Sequence, residues 1–340
     1  MTSTWSLVGL STGPDRESMP STATSDAVMP TCAAQASMAT VFNRETRVSH
    51  IWRESTLEYY LLAYYISSMQ IQKLTGTLGA VLDGLHLETI DDDGFAQLSD
   101  ALIAHQVVFL REQHVSDDGQ RRLAARFGTP SVYPLARHFG GTEVLSIIED
   151  TATSPPDADH WHTDITWIDA PPKVAILAAL DIPPFGGDTV WADLYSAYRG
   201  LSPAMRDIVD RLRVRHSQGE TFWAAYGRSR GADEVATLRT TFPGAEHPLV
   251  RTHPVTGRKA LFVAGYFMES IAGMEPDESA WMLQHLRRRV DDPSLQVRWS
   301  WRAGDVAIWD ERCTNHRALS DHFPQHRRMR RCTIDGEVPV

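Results

Sequence analysis

Cysteine is scarce in this 340-residue chain: Cys32, Cys313 and Cys332 are odd in number and far apart. That rules against a disulfide framework or a zinc ribbon and points to a reducing compartment. Long hydrophobic stretches are missing too. The longest purely apolar run, Tyr59 to Ile66, is far short of the roughly 20 residues a membrane span needs. It also lies too deep in the chain, without a basic flank at Met1, to be a secretory core. There is no basic surplus. The formal net charge of −10 argues against a nucleic-acid or anionic-membrane partner, whose affinity would rest on excess Lys and Arg. No glycine-rich phosphate loop follows a predicted strand, which removes a dinucleotide-binding reading. These absences describe a soluble, cytoplasmic protein with no nucleic-acid and no membrane partner.

The chain is poorest at its start. From Ser11 to Thr40 there is no Leu, Ile, Phe, Tyr or Trp, and such a stretch cannot offset its own ordering entropy. Residues 1–68 are therefore expected to be a disordered or weakly structured extension, with a short helix through Glu58–Tyr65. Met69 opens an alternating strand pattern, so 69–340 is the expected folded domain and Met69 a candidate natural start.

Beyond Met69 the pattern is mixed. Strands are expected at Val107–Leu110, Glu143–Ile148 and Val174–Leu180, and after the Gly186-Gly187-Asp188 turn. Leu78–Leu87 reads as a strand pair broken at Gly84. Helices are expected at Asp93–His105, at Ser116–Phe127 with Ser116 as N-cap, at Ser202–Leu212, and at Glu275–Val290, the longest. The segment 218–245, polar and carrying Gly219, Gly227, Gly231 and Gly244, reads as a long loop or lid. A hairpin turns at His253–Arg258, and another about Gly304 joins Val297–Trp301 to Asp305–Trp309. Many short strands with helices at both ends suggest a mainly β fold with flanking helices. The expected architecture is a double-stranded β-helix, a jelly-roll or cupin-like barrel, rather than a doubly wound sheet.

The chain is organised around Asp159-His160-Trp161-His162-Thr163-Asp164-Ile165-Thr166-Trp167. β-branched and aromatic neighbours favour an extended backbone, in which His162 and Asp164 project to one side. Alone, the pair reads equally as a hydrogen-bonded pair at a strand end. A third ligand would complete a two-His-one-carboxylate facial triad for non-haem Fe(II). His316, in Trp309-Asp310-Glu311-Arg312-Cys313-Thr314-Asn315-His316, is the candidate. Arg327 and Arg331 follow it in Arg327-Arg328-Met329-Arg330-Arg331. His160 reads as a loop residue, His322 and His326 as solvated, Arg328 and Arg330 as solvated, and Cys313 and Cys332 as structural neighbours of the site.

Five blocks in this order resemble the taurine dioxygenase family of Fe(II)/2-oxoglutarate-dependent oxygenases, from Met69 to about Val338. They are Val107–Arg111, Trp161-His162-Thr163-Asp164, Gly186-Gly187-Asp188-Thr189-x-Trp191, Arg251-Thr252-His253-Pro254-x-x-Gly257, and Trp309-Asp310 through His316 to Arg327 and Arg331. The resemblance implies Fe(II) on His162, Asp164 and His316, with 2-oxoglutarate and O₂ as cosubstrates. It puts the C5 carboxylate of 2-oxoglutarate on Arg327, a planar two-pronged donor, with the Thr189 hydroxyl beside it. It puts the anionic head of the prime substrate on Arg331, between aromatic walls at Phe222 and Phe267. Three positions depart from the family pattern. Tyr133 stands for a substrate-contacting His, Ala136 for a Tyr, and Ala158 for an Asn near the amine.

The substrate implied is a small organic anion, an alkyl sulfate or sulfonate ahead of taurine, since a buried ammonium without partners costs several kcal/mol. Other readings are a phenoxyalkanoate or specialised-metabolite dioxygenase and a non-catalytic 2-oxoglutarate-binding protein. Asp164 argues against a halogenase, in which a halide takes the carboxylate's place. The family also implies a homo-oligomer, dimer or tetramer.

Overall fold

The computed structural model describes residues 69–156 and 158–340. The expectations for residues 1–68, the Glu58–Tyr65 helix among them, fall outside the described residues. The chain begins with β1 (Gln70–Lys73), β2 (Ala80–Asp83), α1 (Asp92–His105), β3 (Val107–Leu110), α2 (Asp117–Phe127), α3 (Pro134–His138) and β4 (Leu145–Asp150). After β5 (Val174–Asp181) and β6 (Thr189–Asp193) come α4 (Leu194–Arg199), α5 (Pro203–Val209) and β7 (Arg213–His216). Two helices, α6 (Gly219–Arg230) and α7 (Ala232–Thr241), precede β8 (Ala245–Pro248), β9 (Val250–Thr252), β10 (Lys259–Leu261) and β11 (Met268–Ile271). The last elements are α8 (Pro276–Arg287), β12 (Gln296–Trp299), β13 (Val306–Asp310), β14 (Thr314–Ala318) and β15 (Arg327–Ile334).

Local chemistry sets several of these boundaries. The Ser116 hydroxyl accepts from Gly119 N at 3.0 Å and caps α2, with Asp117 and Asp118 in its first turn, where the helix dipole favours negative charge. Asp91 caps α1 in the same way, accepting from Gly94 N at 2.8 Å. β3, β5 and β13 are buried on both faces, which is why they read as unbroken apolar runs rather than alternations.

These strands sit in the middle of a seven-stranded sheet of order β1-β2-β3-β13-β5-β15-β4. One face carries α1 and α2, where Leu98, Leu102 and Leu123 join Ile176, Ile308 and Ile334 in one core. The other face meets the three-stranded sheet β12-β6-β14. Phe109 stacks on Trp299 at 4.3 Å between ring centroids, and Trp191 meets Trp309 edge-on at 5.5 Å. Each such ring contributes on the order of 1.5–3 kcal/mol by leaving water. The functional strands are therefore held between two layers of core.

Several expectations are corrected. The Leu78–Leu87 region holds one strand, β2; the chain then turns at Gly84 into a short 3-10 turn at Leu87–Thr89. α8 ends at Arg287 after 12 residues, shorter than the 14 of α1, and a 3-10 turn continues it. The segment 218–245 is not a loop but the helical pair α6–α7. Its glycines 219, 231 and 244 stand at element boundaries with φ of 77°, 95° and 91°, a left-handed backbone that glycine adopts without a Cβ penalty. β12 and β13 do not form a hairpin about Gly304. β12 pairs with β6 and β13 with β3 and β5, so the chain crosses there from one sheet to the other. Among the described residues, hydrogen bonding forms separate sheets and does not by itself show a barrel. The architecture shown is mainly β with packed helices.

Candidate active site

His162 and His316 are tied to each other through the backbone. His162 N donates to His316 O at 2.9 Å, and His316 N donates back to His162 O at 2.8 Å. His316 lies in the middle of β14, opposite Trp191 of β6, and the two imidazole centroids are 4.1 Å apart. The extended stretch expected through Asp164 stops short of it. A turn begins there, with Ile165 at φ 53°, and this turn rather than strand alternation brings the carboxylate round. Asp164 Oδ1 lies 3.7 Å from His162 Nε2 and 4.0 Å from His316 Nε2. Ligand atoms from the three residues, all buried, lie within 4.8 Å of one another.

The protonation states suit a cation. His162 Nδ1 lies 2.9 Å from the His160 carbonyl, which can only accept, so the proton sits on Nδ1 and the lone pair on Nε2. Burial, and then the neighbouring His162, hold His316 well below the usual imidazole range. Burial raises the Asp164 carboxyl, but opposing charge, the Arg331 guanidinium first, keeps it below its ordinary value. A neutral imidazole at His316 and an ionised carboxylate at Asp164 are forms a divalent metal takes.

Glu311 was missed from the sequence, where nothing separates it from any acidic residue after a strand. It is fully buried, accepts from Trp309 Nε1 at 2.7 Å and from Asp164 N at 3.2 Å, and burial together with the charge of Asp164 pushes its carboxyl well up. It fixes the turn that carries Asp164.

A cavity opens beside His162 and His316, lined with them by Thr189, Arg327, Arg331, Asp150, Ala158 and apolar Ile148, Leu177 and Leu319. β4 ends two residues later than expected, and its register sets Asp150 opposite Arg327 of β15. Arg327 is buried; its Nε donates to Gly187 O at 3.1 Å, while Nη2 has no hydrogen-bond partner. A Cβ on Gly187 would come within 2.9 Å of the Arg327 side chain, so only glycine lets the chain pass this close. Trp301 Nε1 donates to the Thr189 hydroxyl at 3.0 Å, which leaves the hydroxyl hydrogen for another acceptor. Arg331 Nη1 donates to both oxygens of Asp164, at 3.0 and 2.9 Å.

Two neighbours differ from expectation. Arg330 is buried, not solvated: it bonds Gln120 Oε1 at 2.7 Å, Val115 O at 2.6 Å and the Asp117 carboxylate, and so pins β15 to α2. His322 is buried as well, beside Asp150. His326 is exposed but paired, to Glu149 and Asp181, and Arg328 is exposed.

The residues expected to meet the substrate divide. Ala158 lines the cavity. Tyr133, Phe222 and Phe267 are half-buried and share one cluster with Trp167, Trp223 and Leu238, under the α6–α7 pair. Phe267 approaches the triad, its ring 6.5 Å from that of His162. Ala136 is exposed on α3 and does not line the cavity.

Among the described residues a second group of ligand types converges, His253, Asp310 and Cys313, all buried. Cys332 is buried as well.

The model of the family described as "Taurine catabolism dioxygenase TauD, TfdA family" matches residues 70–333. The chain is 37% identical over 276 residues to an alkylsulfatase of Acinetobacter baylyi, covering 79% of this chain and 86% of that one. It is 35% identical over 278 residues to an alpha-ketoglutarate-dependent sulfate ester dioxygenase of Pseudomonas putida, covering 80% and 91%. Among solved structures, a taurine dioxygenase from Burkholderia xenovorans superposes with a TM-score of 0.67 at 35% identity, covering 80% of this chain and 93% of that one. On this match of sequence and fold, the chain belongs to the taurine catabolism dioxygenase TauD, TfdA family and is an oxidoreductase, a 2-oxoglutarate-dependent dioxygenase.

Proposed function

We propose that His162, Asp164 and His316 hold Fe(II), and that 2-oxoglutarate lies in the adjoining cavity with its C5 carboxylate on Arg327 and Thr189. The observation that carries this is the buried Arg327 Nη2, which has no hydrogen-bond partner beside the cavity that His162, His316 and Thr189 line. A planar guanidinium with an unused N–H suits a carboxylate, and the Thr189 hydroxyl supplies a second donor. The ligand set suits a non-haem Fe(II) centre that keeps positions open. Fe(II) with 2-oxoglutarate and O₂ would supply the oxidation that turns a substrate C–H into C–OH, with succinate and CO₂ as coproducts.

The protein's own residues then select what is oxidised. Arg331 spends only Nη1 on Asp164 and keeps other N–H groups for an anionic head. Ile148, Pro156, Ala158 and Leu319 give the cavity an apolar wall, with Tyr133, Phe222 and Phe267 clustered beneath α6–α7. Ala158 offers no polar partner to an ammonium, which disfavours a small zwitterion such as taurine. The fit is an alkyl sulfate or alkanesulfonate of several carbons, in keeping with the relatives named for sulfate esters. Hydroxylation of the carbon that bears the ester oxygen gives a product that breaks its C–O bond to release an aldehyde and sulfate.

We read the two facing sheets as the walls of a double-stranded β-helix, and residues 69–340 as the catalytic domain. The test is succinate release from 2-oxoglutarate with Fe(II), across linear alkyl sulfates, alkanesulfonates, phenoxyalkanoates and taurine. A medium-chain sulfate or sulfonate should lead the panel. Taurine in first place would sink the pocket argument, and no succinate with any member would favour a binding protein.

A further inference from the structure

Asp150 and His322 stand behind Arg327, where no ligand or substrate role has been assigned. Asp150 is 7% exposed and lines the cavity; His322 is 1% exposed, and neither of its ring nitrogens makes a hydrogen bond. His322 Nε2 lies 3.3 Å from Asp150 Oδ2, and Arg327 Nη1 lies 3.7 Å from the same oxygen. One carboxylate oxygen is thus shared by a guanidinium and an imidazole, with neither contact drawn up to full hydrogen-bond geometry.

The other charged groups at this corner are already matched. Asp188 accepts from Arg298 Nε at 2.6 Å and from the Ser300 hydroxyl at 2.8 Å. Asp321 accepts from Gly187 N at 2.8 Å and faces Arg298 at 3.7 Å. Asp150 is the counter-charge of Arg327. Bringing a second carboxylate to Arg327 would put two anions on one cation in a buried corner, and burial makes an unbalanced negative charge expensive. His322 is the adjacent imidazole, whose ring nitrogen can accept a proton.

We infer that Asp150 and His322 form a proton-accepting pair at the distal end of the cosubstrate pocket, so that 2-oxoglutarate binds together with one proton shared between His322 Nε2 and Asp150 Oδ2. The inference rests on the reading that Arg327 receives the C5 carboxylate. Its sign follows from linkage. A proton taken up on binding makes affinity fall as pH rises, by up to about tenfold per pH unit once the unliganded pair is unprotonated, and leaves it flat where the pair already holds the proton.

The test is calorimetry of 2-oxoglutarate binding to the Mn(II)-loaded full chain at about pH 8, in buffers of different ionisation enthalpy. The slope of heat against buffer enthalpy counts protons. Wild type should take up close to one proton per ligand, and Asp150→Asn close to none, with a flattened pH dependence of affinity. His322→Gln should lower the uptake to less than half. Circular dichroism and Mn(II) stoichiometry check the fold; if His322→Gln does not fold, Asp150→Asn decides alone. Binding heat without buffer dependence in wild type, or full uptake surviving in Asp150→Asn, would overturn the inference and leave the cosubstrate reading standing. No binding of 2-oxoglutarate by wild type would overturn both.

Discussion

His162, Asp164 and His316 invite comparison with His253, Asp310 and Cys313, because both sets bring buried ligand types within 4.8 Å. In the second set every strong ligand atom is in use. His253 Nε2 bonds Asp310 Oδ2 at 2.9 Å, and its Nδ1 accepts from Val255 N and Thr256 N, each at 3.2 Å. Both Asp310 oxygens also accept from Arg312, at 2.7–2.9 Å. Burial pushes the Cys313 thiol well up, away from the thiolate a metal would need. In the first set Asp164 accepts from Arg331 Nη1, but its Oδ1 lies 3.7 and 4.0 Å from the two Nε2 atoms, too far for hydrogen bonds between the three, and both histidines border a cavity. Residue types do not distinguish a metal site from a structural lock. The second set is closed by its own hydrogen bonds, whereas the histidines of the first border a cavity.

The largest expected effects break the open set. His162→Ala, Asp164→Ala or His316→Ala should lower succinate formation by more than about 100-fold, beyond what outer-shell changes produce, with circular dichroism unchanged. Wild-type rates in any of them would remove that residue from the site. Next, Arg327→Ala should weaken 2-oxoglutarate by about 2–5 kcal/mol, since one partner of a buried charge pair is left alone. Titration of the Mn(II)-loaded protein measures it, and unchanged affinity would put the C5 carboxylate elsewhere.

The closed set should fail differently. Asp310→Asn removes the charge that Arg312 and His253 face, and should lower unfolding stability by about 3–5 kcal/mol while leaving His162, Asp164 and His316 in place. Burial raises the Asp310 carboxyl, but Arg312 and His253 outweigh it and hold it below 3.8. Its stabilisation is therefore present above that value and fades as pH falls through the lower folded one. Denaturant titrations at neutral and acid pH separate the two effects.

A smaller effect concerns His216, whose Nδ1 meets the Thr166 hydroxyl at 2.9 Å under the turn that carries Asp164. Burial holds it down, to about 3 from 6.5. The unfolded chain then binds the extra proton between those values, so stability should drop as pH falls from 6.5. His216→Gln should flatten that slope, and an unaltered slope would clear His216 of the role.

Much of the candidate site was legible because it is made of rare residue types at fixed positions. His162, Asp164, His316, Arg327 and Arg331 were singled out from the chain alone, and the fold brings all but Asp164 to one cavity, with Asp164 bonded to Arg331. α2 was legible through Ser116, and the turn at His253–Arg258 through its flanking apolar runs. What failed was set by distant partners. Arg330 looks like one more surface Arg until Gln120, Asp117 and the Val115 carbonyl close around it. His322 looks like a loop residue until Asp150 arrives from β4. The Gly304 turn has the local signal of a hairpin, and only the pairing of β12 with β6 and of β13 with β3 shows the chain changing sheets.

The most direct test of the contrast is Fe(II) stoichiometry by anaerobic equilibrium dialysis on wild type, His316→Ala and His253→Gln. The account predicts one tightly held Fe(II) per chain in wild type and in His253→Gln, and none in His316→Ala. Full stoichiometry in His316→Ala together with loss in His253→Gln would contradict it and move the metal to the set described here as closed.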